Sequence, residues 1–575
     1  MFQKDKSKTL LLGIIILCLN VFIYNKFTLL HDTTRSPDFG MYVKYIEYFF
    51  GVSETTSLDN GSMYFYLLSN LLSQYEGFFS GRNHFIIINN SIHLLNLFLT
   101  LISLFGFYRY FSRKNYTNKS ILFGLILLSI FPPLLQLRLT MKPEILVVAL
   151  LPYLLVSLEN YFSKSSKYDI YFSAVLFVTI GSLRGSALVF ISMFLLYTYW
   201  GDLKKVPIKN FLINLLIIFL IATPLMVEDY NINGNTLFSN SEVRSQIGGE
   251  NYNNKASFKN IFNINPIDLV VRPYLDNHAD SFIGITLLDT FNDYFHLYWN
   301  HDQSLLNRGQ ILKNINSNNS YLQKIINNFE YYLTSFLSLC FFILLIRMYL
   351  KNKELKLLIS PFIGMTLLII NSFGIPYNNF DPLKADTYKS FYYSFFLCMA
   401  FLQLILHLIN REFKVRKSYV LISSTIYAMV IIVCLGFPKF YTPNMETTMT
   451  TQNLYSPMCS INISLDNKLK DDNCFPVNDN FCGWSNNYQP IKLLEDGTKE
   501  YFVDDNFGQA NLIKNGESRK VYGFAECEDF RSQGYEFYIS KNNLKYSFTL
   551  NIYIIAALVC LLSQELRFLR FSKDS

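Results

Sequence analysis

Charge is what this chain of 575 residues has least of: only 16% of its residues are Asp, Glu, Lys or Arg, against about a quarter in a soluble domain. With 51% hydrophobic and 17% aromatic residues, that shortage excludes an ordinary soluble globular protein. Other absences narrow the class further. No basic stripe with interleaved aromatics occurs in a polar segment, so the formal net charge of +7 does not signify nucleic-acid binding. The first apolar run, near residues 10–24, follows Lys4, Lys6 and Lys8 but lacks a small-x-small exit, and reads as a retained span rather than a cleaved leader. No internal repeat is visible, which weakens a transporter reading based on inverted repeats.

What the chain does have is long apolar runs separated by basic clusters, the signature of an α-helical polytopic membrane protein. About twelve runs have the roughly 17–25 residues that a hydrocarbon core demands. They lie near 9–25, 84–108, 120–137, 143–161, 168–183, 186–200, 209–227, 331–347, 357–373, 390–409, 418–437 and 547–566. With a cytoplasmic N-terminus, the inner loops hold Arg109, Arg113 and Lys114, then Lys164 and Lys167, Lys204 and Lys205, Lys351 and Lys353, and Arg411 and Arg416. The tail beyond the last run carries Arg567 and Arg570. Every inner loop is then basic, as the positive-inside rule requires, and the C-terminus is cytoplasmic too.

Three regions face outward: loops 26–83 and 228–330 within a membrane domain of residues 1–437, and a segment of 438–546. Residues 547–575 form the last span and a cytoplasmic tail. In the first loop, the short apolar stretch from Gly61 to Leu68 reads as an interfacial helix. Segment 438–546 alternates turn pairs (Asp496-Gly497, Asn515-Gly516) with short aromatic or β-branched runs, so a small β-rich domain is expected. Four of the nine cysteines, Cys459, Cys474, Cys482 and Cys527, fall in it. In an oxidising compartment they read as two disulfides, with three connectivities open. A zinc site is the weaker reading, because there is no Cys-x-x-Cys pair and no His among them.

The polar residues that matter sit at the outer mouth, where charges beside lipid usually face a cavity or a partner. Ser36, Pro37 and Asp38 read as the cap and first turn of a helix whose apolar face runs through Phe39, Tyr42, Val43, Ile46 and Phe49. The positive end of that helix keeps the Asp38 carboxyl ionised. Asp32 is the fallback carboxylate. The basic residues at the same level are Arg35, Arg82, Arg138, Lys142, Arg184, Lys384 and Lys389, with Glu144 opening the fourth run. A cavity ringed by Arg and Lys suits a phosphate, held through charge-assisted hydrogen bonds. In the middle loop, Asp293, Tyr294 and His296 read as a lid or an acceptor contact. A divalent-cation site built from Asp289, Asp293, His296, His301 and Asp302 is the rarer alternative. No other cofactor is expected.

Pro37-Asp38 followed by Tyr42 resembles the first-loop pattern of the GT-C superfamily of membrane glycosyltransferases, in particular bacterial proteins of the protein-mannosyltransferase and aminoarabinose-transferase kind. Phe39 stands where relatives often carry a second acid. Glu144 after a basic linker, Gly374 to Pro376 with Lys384 and Lys389, and Leu288 to Phe295 resemble further family positions. The resemblance covers roughly residues 8–430 in organisation, and it implies a GT-C-like membrane domain in a bacterial plasma membrane. It also implies an inverting transfer of a sugar from a polyprenyl-phosphate donor to a glycan, lipid or protein acceptor. Asp38 is then the base, and the basic residues with Tyr42 and Glu144 hold the substrate. The rival readings are a polysaccharide polymerase or ligase and a lipid-linked saccharide flippase.

The topology predicts that a membrane-impermeant thiol reagent, applied after reduction, reaches Cys459 and Cys482 from the outer face alone. Labelling of these cysteines from the cytoplasmic side would overturn it.

Overall fold

A run of apolar side chains in lipid has to satisfy its backbone internally, and a helix is the local way to do so. The structure is a computed structural model, and it describes residues 2–30, 61–74, 84–114, 116–164, 167–183, 185–204, 206–233, 259–262, 281–291 without 289, 329–372, 382–410 and 548–574. It also describes five short strands between 492 and 537 and, from the first loop, Tyr42, Tyr45, Ile46, Tyr48 and Phe49. These residues are mostly helical.

In chain order the helices are α1 (Phe2–Leu30), α2 (Ser62–Leu72), α3 (His84–Ser112), α4 (Asn118–Ser129), α5 (Pro132–Leu139), α6 (Glu144–Lys164) and α7 (Lys167–Leu183). They continue as α8 (Gly185–Leu203), α9 (Ile208–Asn233), α10 (Phe329–Lys351), α11 (Ser360–Ser372), α12 (Pro382–Asn410) and α13 (Phe548–Asp574). Three stretches, Ile88–Ser112, Glu144–Phe162 and Ile208–Glu228, are each long and apolar enough to cross a membrane. The bent pair α4–α5 makes a fourth if it counts as one span. Every apolar run named above is helical at its core except 418–437, which lies outside the described residues.

The run at 120–137, expected as one span, is instead two helices bent by 59°. The cause is Pro132-Pro133. Neither proline has an amide hydrogen to continue the ladder, and Pro132 pushes Phe131 out of the helical region, to φ −68°, ψ 125°. The elbow is buried in aromatic rings. Phe131 stacks on Phe401 of α12 at 4.2 Å between centroids and meets Phe291 at 5.6 Å and Phe341 of α10 at 5.9 Å. Phe291 ends a segment of the middle loop, 281–291, whose π-helical turn Gly284–Leu288 is buried against α10 and α12. Ser338 of α10 donates to the Leu287 carbonyl there.

The stretch read as an interfacial helix is a helix, α2, but it is not at the surface. Eight of its eleven residues are buried, and it packs on α3, α7 and α13. Glycines permit two close helix approaches. A Cβ at Gly106 of α3 would lie 2.7 Å from the Tyr153 ring and 3.0 Å from Pro152 Cβ of α6. A Cβ at Gly124 of α4 would meet Leu402 of α12 at 2.7 Å. Just past the end of α3, Lys114 pairs with Glu159 in the last turns of α6 at 2.5 Å, and Tyr199 of α8 donates to the same carboxylate at 2.9 Å.

Helix α13 ties late sequence to early sequence. Asn551 donates to the Tyr66 hydroxyl of α2 at 2.7 Å, and Gln564 donates to Ser157 Oγ of α6 at 2.5 Å. Tyr553 donates to the Ile221 carbonyl of α9. Within 438–546 the described residues are strands. β1 (Lys492–Leu493) pairs with β2 (Lys499–Glu500), and β3 (Gln509–Lys514) lies between β4 (Glu517–Tyr522) and β5 (Glu536–Phe537), all antiparallel. Asn515-Gly516 separates β3 from β4, a two-residue hairpin signal. The four cysteines of this region lie outside the described residues. Elsewhere Cys18, Cys340, Cys398 and Cys560 are free thiols, the last two buried.

Gly106→Val should force α3 away from α6 and lower the melting temperature of the purified protein, a loss of about 1–3 kcal/mol for an overpacked contact. An unchanged melting temperature would mean that the α3–α6 contact is not this close.

Candidate functional site

Residues 138–144, a linker counted from the last turn of α5 to the first residue of α6, hold the densest buried charge among the described residues. Arg138 is 2% exposed, Thr140 4%, Lys142 4% and Glu144 2%. A linker with this much polarity stays buried only if its backbone and side chains find partners. Helix α5 ends at Leu139, so its last carbonyls have no helical donors ahead of them. Asn96, midway along α3, supplies them. Its Nδ2 donates to the Arg138 carbonyl at 2.8 Å and to the Thr140 carbonyl at 2.9 Å. Its Oδ1 accepts from the Tyr64 hydroxyl of α2 at 2.9 Å. The Lys142 amide turns back onto the Thr140 carbonyl at 3.0 Å.

Gly61 seats the other side of the linker. It has φ +92°, and a Cβ there would lie 2.6 Å from Pro143 Cβ, so both the backbone conformation and the contact require glycine. Helix α2 starts at that contact. Its Phe65 ring meets Tyr42 at 5.0 Å and Tyr45 at 4.8 Å, while Tyr66 meets Phe49 at 5.1 Å. The first-loop residues Tyr42, Ile46 and Phe49, on the apolar face their spacing predicts, are thereby buried, and so is Tyr45, which that spacing did not include. The Lys142 ammonium lies 5.7 Å from the centroid of the Tyr42 ring, within cation–π range.

Burial raises the Tyr64 phenol pKa far above its ordinary value. The hydrogen bond to Asn96 opposes that shift, and the nearby Glu144 and Tyr42 add to it. Tyr64 therefore stays protonated and serves as a donor. The three ionisable linker side chains sum to one net positive charge, Arg138 and Lys142 against Glu144. Arg138 points away from Tyr42, toward α1. Its Nη1 donates to Asn20 Oδ1 at 2.7 Å and its Nη2 to the Asn20 carbonyl at 2.5 Å. Asn20 Nδ2 in turn donates to the Ile16 carbonyl at 2.8 Å and to Ser129 Oγ of α4 at 3.1 Å.

Of the residues singled out from sequence, the structure brings Tyr42, Lys142 and Glu144 around α2, and it places Arg138 on the same linker but facing Asn20. Lys384 and Lys389 lie on α12. Asp38, Asp32, Arg35, Arg82, Arg184, Asp293, Tyr294 and His296 lie outside the described residues. Among the described residues no group of three or more His, Cys, Asp or Glu could hold a metal ion; Asp289, His301 and Asp302 lie outside them. Sequence reasoning missed Asn96, Asn20 and Tyr64. The first two carried a usable signal, an amide inside an apolar run, where a polar group must have a partner.

Comparison with protein-family models, with characterised proteins and with solved structures finds no match to this chain.

Asn96→Leu should strip donors from two buried carbonyls and an acceptor from Tyr64, a loss of about 1–3 kcal/mol per orphaned group. Tyr64→Phe, which removes only one partner, should cost less. The comparison of their melting temperatures checks this, and equal stability of Asn96→Leu and wild type would refute the bridging role.

Proposed function

We propose that the protein is a membrane glycosyltransferase that moves a sugar from a polyprenyl-phosphate donor to an extracytoplasmic acceptor with inversion. Its chain then crosses a bacterial plasma membrane about twelve times in a GT-C-like arrangement, with a small β-rich, disulfide-containing domain at 438–546 on the outer side. The observation that supports this reading best is the buried linker, where Lys142 and Glu144 stand against the aromatic residues of the first loop. A lipid phosphate arriving there meets a cation in a medium that strengthens the attraction.

The chemistry divides between two loops. A phosphate is already a good leaving group, so it needs positive charge to hold it more than it needs a strong acid. Lys142 supplies that charge, with Arg35, Arg82, Arg184, Lys384 and Lys389 as the other cations of the outer mouth. Asp38, one helical turn before Tyr42 in sequence, takes the proton from the acceptor hydroxyl or amine as that group attacks the anomeric carbon. The carbon–phosphate oxygen bond breaks as the new glycosidic bond forms, and the electron pair leaves with the phosphate. Asp293, Tyr294 and His296 contact the acceptor.

In a strain lacking the gene, mass spectrometry of surface glycans should reveal a missing sugar that the wild-type chain restores. Asp38→Asn, present in the membrane at equal level, should fail to restore it, since general-base catalysis contributes about 10²–10⁴-fold. Full restoration by Asp38→Asn would remove Asp38 as the base.

A further inference from the structure

Arg138 brings a full positive charge into the bundle and meets no carboxylate among the described residues. Arginine does not deprotonate in proteins, and burying an ion without a counter-ion is costly, so such a charge is retained for a reason. Its guanidinium donates twice to Asn20, from Nη1 to the side-chain oxygen at 2.7 Å and from Nη2 to the carbonyl at 2.5 Å. Both contacts are neutral. Aspartate, nearly the same shape as asparagine, would bind the guanidinium more strongly and cancel its charge.

We propose that Asn20 holds Arg138 in place while leaving its charge uncancelled, so that Arg138 attracts a phosphate-bearing ligand to the linker without touching it. Arg138 is thus a positioning residue that acts through its field. Asn96 fixes the carbonyls of residues 138 and 140, and so fixes the spacing between this charge and Lys142. Four residues of chain span at most about 14 Å, and across low-dielectric protein a unit charge is felt at that distance. The proposal rests on reading the linker as a phosphate site, and its test separates the two.

The measurement is calorimetric binding of farnesyl phosphate and of farnesol to the full-length protein in nanodiscs. Wild type should bind the phosphate in preference to the alcohol. Asn20→Asp, which cancels the charge, and Arg138→Gln, which removes it, should each weaken farnesyl phosphate about fivefold and leave farnesol unchanged. Asn20→Ser, which keeps a neutral oxygen beside the guanidinium, should retain the phosphate preference. Wild-type phosphate affinity in folded Asn20→Asp and Arg138→Gln would overturn the proposal while leaving the phosphate site standing. So would a loss in Asn20→Ser as large as in Asn20→Asp, because the contact and not the charge would then be at work. If Asn20→Asp and Arg138→Gln both fail to fold, the pair is a packing lock and the proposal falls. No preference for phosphate in wild type would instead defeat the reading of the site itself.

Discussion

The arrangement of the linker depends on one side-chain amide. Helix α5 stops inside the bundle, where no water is at hand for its last carbonyls, and Asn96 reaches across from α3 to take two of the linker's carbonyls at once. Because the same amide accepts from Tyr64, it joins three elements that are far apart in sequence: α2, α3 and the α5–α6 linker. Without it, the Arg138 carbonyl and the Tyr64 hydroxyl would lose these bonds together, and the Thr140 carbonyl would keep only the Lys142 amide. The contact also decides which way the linker faces, with Lys142 toward Tyr42 and Arg138 toward α1.

Much of the helical architecture was legible in the sequence, because apolar runs bounded by basic clusters leave the backbone few alternatives. The helices over 84–112, 144–164 and 208–233 follow the runs read from residues alone. Two features were not. The elbow at Ile130–Phe131 was hidden by the uniform hydropathy of its run, although Pro132-Pro133 carried the signal in plain view. The burial of α2 was hidden because an isolated apolar stretch of eleven residues looks the same at an interface and inside a bundle. What separates them is Gly61 against Pro143 and the rings of Tyr42, Tyr45 and Phe49, contacts that join residues the chain brings together only after folding.

The site shows the same division. Lys142 and Glu144 could be found from sequence because charges beside an apolar run stand out. Their support could not be found that way. Asn20 looks like a lone polar residue in an apolar segment and Asn96 like one of several in another, and only the fold reveals that both converge on Arg138, one on its guanidinium and one on its carbonyl. In consequence, the charge pattern and the helix ends are bound to each other. The elbow made by two prolines ends α5 early, the early end leaves carbonyls to satisfy, and the amide that satisfies them sets the position of the cations.

In the function proposed for this protein, the 138–144 linker and the first loop together receive a lipid phosphate. An experimental structure of the full-length protein with a polyprenyl monophosphate bound addresses it most directly. Phosphate oxygens are expected within about 3 Å of the Lys142 ammonium, beside Tyr42, with Arg138 still held by Asn20. A phosphate bound elsewhere, with Lys142 making no contact to it, would rule out the linker as the phosphate site.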